Sequence, residues 1–139
     1  MYNFRMPVEE IEVTMVSPVS PEAIMACAVI EWRKANRDLL IEDVSELFGK
    51  IRERGLPVER VALRRIPGGL YSEDVEAFVG RLLAAGYASA RSPIIVHDRG
   101  LEICKEIVKE ELESSPETFP EVARSLGFDI AWANAPTLQ

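Results

Sequence analysis

The chain has 139 residues, 47% of them hydrophobic and 28% charged, and a formal net charge of -7. That length fits one domain with a substantial core, since a chain of this size buries about two-thirds of its unfolded surface. The composition excludes intrinsic disorder, and the acidic balance argues against a nucleic-acid binder that works by bulk electrostatics alone.

The longest apolar run, Ala23 to Ile30, is far below the ~20 residues that a membrane-spanning helix needs. It does not follow a basic N-terminal stretch either, so no signal peptide is expected. A cytoplasmic protein with no membrane contact is the expectation.

Residues 1–19 read as an N-terminal arm. Ile11, Val13 and Met15 alternate with Glu10, Glu12 and Thr14, the pattern of a half-buried edge strand that could pair within the monomer or with a second copy. Ser20 followed by Pro21 and Glu22 is a helix start. The helix behind it, with Ile24, Met25, Cys27, Val29 and Ile30, is apolar nearly all round, which predicts a central position. A second helix spans roughly 42–54: Val44, Leu47, Phe48 and Ile51 form its stripe, and Gly55 then Pro57 end it.

In LPVERVALRRIPGGLYS, Val61, Leu63 and Ile66 alternate with polar neighbours and predict a short extended piece, broken at Pro67-Gly68-Gly69. Ser72 caps a third helix with the strongest stripe in the chain (Val75, Phe78, Val79, Leu82, Leu83), closed at Gly86. YASAR and PIIVH predict two short strands around Ser92-Pro93. Asp98 is expected to cap a fourth helix, with Leu101, Cys104, Val108 and Leu112 inward and a Glu-rich outer side. A short helix around Pro120 to Leu126 stops at Gly127. The apolar tail 128–139 is expected to dock through Phe128, Ile130 and Trp132 rather than hang free. The whole divides into an arm (1–19), a single domain (20–127) and the tail, with no internal repeat.

Counting closes several chemistries. Two cysteines, Cys27 and Cys104, and one histidine, His97, cannot supply the four ligands of a structural zinc site. The buried thiol is the ordinary state for both cysteines. His97-Asp98 spells a dipeptide used by metal-dependent phosphohydrolases, but the further histidines that chemistry requires are missing. No nucleophile-elbow sequence and no phosphate-binding glycine loop occurs. A non-enzymatic protein without cofactor or metal is expected.

The order helix, Gly, β-ribbon, helix, carried by LLAAGY, residues 87–97 and DRGLEIC, resembles the second half of a winged helix-turn-helix module. The longer span, with IPGGLYSEDVEAF (Ile66 to Phe78) before the third helix, resembles the domains of Panacea-type antitoxins and related small phage-associated proteins. Gly69 stands where that family has a Pro, and Val96-His97-Asp98 replaces its Leu-Thr-Glu. The fold this resemblance implies is mainly α with a small β-ribbon, winged-helix-like with extra C-terminal helices. The function it implies is a module that binds a macromolecular partner, a protein or a second copy of itself, in a regulatory or antitoxin-like role.

The alternative is a DNA-binding regulator. Residues 50–65 hold six basic side chains against two acidic ones, a local +4, whereas 100–121 carries a local -5. Arg52, Arg54, Arg60, Arg64 and Arg65 form this band, and Arg91 and Arg99 flank the ribbon; these seven are the candidate contacts for nucleic acid or a partner. Against DNA stand Glu73, Asp74 and Glu76 in the first turn of the third helix, which favour the helix dipole but repel phosphates. No Arg, Asn or Gln is placed there to read bases. A homodimer through the arm or the tail is the expected assembly.

Overall fold

A computed structural model describes residues 17–134. The arm's proposed strand and the last five residues of the tail lie outside the described residues. Among these residues, five α-helices and two antiparallel hairpins make a mainly helical α+β fold: α1 (Pro21–Lys34), α2 (Ile41–Arg54), β1 (Arg64–Ile66), β2 (Gly69–Tyr71), α3 (Glu73–Ala84), β3 (Ala88–Arg91), β4 (Ile94–Val96), α4 (Asp98–Ser114) and α5 (Thr118–Ser125). A single 3-10 turn, Ala131–Asn134, follows.

The central position expected of α1 holds. Ser20 Oγ accepts from the Ala23 amide at 3.3 Å, and every residue from Ala23 to Ile30 is buried. A helix with no polar face needs neighbours on all sides. α4 supplies the most extensive packing, through Cys104, Val108 and Leu112. Phe119 and Val122 of α5 close the same core, and Phe128 is buried against it, with Ile130 and Trp132 half-buried beside it.

α2 begins with the Leu40 amide donating to Asp43 Oδ2 at 3.0 Å. It ends at Gly55, whose φ of +65° allows the Leu56 amide to reach back to the Ile51 carbonyl. That long backward bond closes a helix whose last residue is left-handed. Beyond it the chain runs extended, and Val19 forms a parallel bridge with Val58.

Pro67-Gly68-Gly69 does more than interrupt the chain. Pro67 and Gly68 are the two central residues of a hairpin turn, with Gly68 at φ +97°, the requirement of a type II turn with Pro first. Arg64 faces Tyr71, Arg65 faces Leu70 and Ile66 faces Gly69. The hairpin is seated on α2. Glu46 Oε2 accepts from the Leu70 amide at 3.1 Å, and a Cβ at Gly69 would lie 2.6 Å from that same oxygen. Ser45 Oγ, wholly buried, donates to the Ile41 carbonyl (2.8 Å) and accepts from the Ser72 amide (3.0 Å), tying α2 to the entry of α3. Ser72 in turn caps α3 by accepting from the Asp74 and Val75 amides.

One expectation at α4 is corrected. His97, not Asp98, occupies the capping position: its backbone is extended and its carbonyl accepts from the Leu101 amide. Asp98 is the first helical residue, and its carboxylate is bound by Arg33 at the end of α1. The second hairpin, β3–β4, gains a third partner: the Ile94 amide donates to the Leu39 carbonyl at 2.7 Å, an antiparallel bridge to the segment between α1 and α2.

Candidate functional site

The seven arginines do not form one strip. Arg52 Nη2 donates to the Val61 carbonyl at 2.9 Å, and Arg54 donates to the Ser125 carbonyl at the end of α5. Arg99 lies over the Tyr87 ring. Arg60 and Arg65 are exposed and have no carboxylate within 4.0 Å among the described residues.

Arg64 and Arg91, from different hairpins, converge on the first turn of α3. Arg64 Nε meets Glu73 Oε2 at 3.0 Å, and Arg91 Nη1 meets Glu76 Oε2 at 3.1 Å. Asp74 Oδ2 accepts from the Ala62 amide at 2.9 Å. Each carboxylate that sequence reasoning set against phosphate binding thus has an internal occupant. Tyr71 sits within the cluster, with the Arg64 guanidinium 5.0 Å from its ring centre. Loss of hydration, then interaction with the Glu76 carboxylate, pushes the Tyr71 phenol above its ordinary value against the opposing pull of Arg64 and Arg91.

A second surface lies at the other face of the β3–β4 hairpin. Leu39 and Ile94 bridge each other and are buried, so the next residue on each strand points to the opposite face. Those residues are Leu40 and Ile95, the large hydrophobic side chains that are exposed among the described residues, at 37% and 48%. Beside them opens a cleft of about 360 Å³ between the end of α1 and β4, lined among others by Trp32, Arg37, Leu39, Pro93 and Ile95. Arg37 lies 4.8 Å from the Trp32 ring centre, a cation–π distance. None of Trp32, Arg37, Leu40 and Ile95 was singled out as a contact residue from sequence. The available signal was the unalternated run Ile94-Ile95-Val96, which as a strand must turn one Ile to the outer face.

No group of three or more His, Cys, Asp or Glu side chains is placed to hold a metal among the described residues. Cys27 and Cys104 are free, buried thiols. Burial pushes the Cys104 thiol up to about 12, and it pushes Cys27 up as well, reinforced by the charge of Glu31. Neither is poised as a nucleophile, which requires an accessible thiolate. His97 is exposed. No helix among the described residues is long and apolar enough to cross a membrane. No protein-family model matches the chain, and comparison with curated proteins and with solved structures finds no match.

Proposed function

We propose that the chain is a non-enzymatic, winged-helix-like module that binds a protein partner in a regulatory or antitoxin-like role. The element order supports the fold reading. A segment between the first two helices, here Leu39, pairs with the second strand of a hairpin that follows the third helix. In a winged helix the short first strand joins the wing in this way. The hairpin β1–β2, inserted between α2 and α3, lengthens what is a tight turn in the simpler module.

The observation that carries the partner reading is the outer face at Leu40 and Ile95, with the Trp32 cleft beside it. An exposed Ile lining a cleft with an aromatic and an arginine has the composition of a protein-contact core. The test is affinity capture from the host cell's extract with the tagged wild type and with Leu40→Glu/Ile95→Glu. A partner retained by the first and lost by the second, with unchanged circular dichroism and melting, is the expected result. Equal capture by both removes this face from the interface.

A DNA-binding regulator is the second reading, favoured by Arg60 and Arg65, which are exposed and have no carboxylate partner among the described residues. A mobility shift with mixed duplex at low salt tests it, and Arg64→Glu/Arg65→Glu should abolish any shift. No shift at micromolar protein ends it.

A further inference from the structure

The cleft between the end of α1 and β4 is locally cationic on a molecule whose net charge is -7. α1 ends on Arg33 and Lys34, and Arg37 follows in the cleft wall. Arg33 is held by Asp98, and Asp38 is the carboxylate in the lining, so three cations stand against two anions. Arg37 has no carboxylate within 4.0 Å among the described residues. It lies over Trp32, with Pro93 and the exposed Ile95 completing the wall. An occupant complementary to this wall brings a branched apolar side chain with carboxylates beside it.

The chain itself carries such a stretch ahead of the described residues. Glu10-Ile11-Glu12 places an isoleucine between two carboxylates, and no Lys or Arg stands anywhere from 8 to 16. Its tether is long enough. α1 has 14 residues, a length of roughly 20 Å, and the cleft lies at its far end from Ser17. Ile11 is six residues before Ser17, a span of about 20 Å when extended. A tether of this kind presents its end at about millimolar effective concentration, which favours the chain's own arm over that of a second copy in micromolar solution.

We propose that Ile11 docks in this cleft against Trp32 and Ile95, with Glu10 and Glu12 beside Arg37, so that the arm covers the partner-binding face. The inference rests on the reading of that face as a protein-contact surface and adds its regulation: a partner takes the face by displacing the arm.

Two measurements on the full chain test it. In the first, photoreactive benzoylphenylalanine in place of Ile11 keeps an apolar side chain there, and its crosslinks are mapped by mass spectrometry. The expected products are within one chain, at Trp32 and the 93–96 segment. Crosslinks between chains, or scattered over the surface, overturn the proposal. In the second, Ile95→Cys supplies a reporter thiol, since the native cysteines are free but buried. Adding Glu10→Lys/Ile11→Lys should speed its labelling about tenfold, the occupancy ratio expected from partial burial of one isoleucine. Equal labelling rates with and without the arm substitutions overturn the proposal. The substitutions in the arm leave every described contact in place, so an unchanged melt accompanies the expected result. Neither readout involves a partner, so equal capture by wild type and Leu40→Glu/Ile95→Glu would end the partner reading without touching the arm's docking.

Discussion

Gly100, in the first turn of α4, is where the fold tolerates least. A Cβ added there would lie 2.4 Å from the Tyr87 carbonyl oxygen, 2.6 Å from Val96 Cγ1 and 3.0 Å from Tyr87 Cβ. The nearest obstacle is backbone, and that same carbonyl accepts the His97 amide at 2.8 Å. Relief therefore requires α4 to move away from the start of β3, and that movement strains the hydrogen bond. Overpacking of this kind costs about 1–3 kcal/mol, and weakening the bond adds about 1 kcal/mol. Alanine's helix propensity returns about 1 kcal/mol. Gly100→Ala should thus destabilise by about 2 kcal/mol, a fall in Tm of roughly 6–10 °C for a domain of this size. Gly80, in the middle of α3, has nothing within 4 Å of an added Cβ. There the same substitution should stabilise by about 0.5–1 kcal/mol. Thermal melts of the two variants beside wild type decide the matter. If Gly100→Ala melts at or above wild type, or both variants shift in the same direction, the close approach of α4 to β3 is not what fixes glycine there.

Ser45→Ala removes the acceptor of the buried Ser72 amide. Leaving that donor unpaired should cost about 1–3 kcal/mol, read as a lower urea midpoint with unchanged m-value. The thiols set a pH dependence at the alkaline end. Cys104 is raised to about 12 from an ordinary 9.0, so the native state keeps a proton that the unfolded state releases. Its contribution is complete below pH 9.0 and is lost as pH climbs toward the folded value, by about 1.4 kcal/mol per unit. The stability difference between wild type and Cys104→Ala at pH 8 should therefore narrow by pH 10. A thiol reagent at pH 8 should label neither cysteine until denaturant is added.

Helix boundaries were the most legible feature because they are written in local chemistry. Ser20, Ser72, Gly55, Gly86 and Gly127 stand where chain entry or exit needs a side-chain acceptor or a positive φ. β2 was not legible. Its three residues, Gly69 to Tyr71, carry no alternation, and what holds them is non-local: the Glu46 carboxylate on the Leu70 amide, and Gly49, where a Cβ would meet Leu70 Cδ1 at 2.6 Å. Gly69, which looks like loop punctuation, and Gly49, inside a helix, are the clearances that let a hairpin lie on that helix. The pairing of Leu39 with β4 is a single bridge and leaves no periodic trace. The correction at His97 has a similar origin, since Asp98 is a good capping residue by type but is drawn into the helix with its carboxylate held by Arg33.

The charged surface teaches the sharper lesson, because a run of basic residues in sequence is not a basic patch in space. Arg64 and Arg65 are chain neighbours on β1, and strand alternation sends them to opposite faces; Arg64 is paired to Glu73 and Arg65 is not. Arg52 and Arg54 spend hydrogen bonds on the Val61 and Ser125 carbonyls. The local +4 of residues 50–65 therefore overstates what a polyanion would meet, because Glu73 offsets Arg64 and two further guanidiniums are oriented toward backbone carbonyls. From sequence, the first turn of α3 reads as hostile to phosphate through repulsion alone. Its carboxylates also pair with two arginines, Arg64 and Arg91. Neutralising them therefore changes the patch twice over, by deleting negative charge and by freeing positive charge.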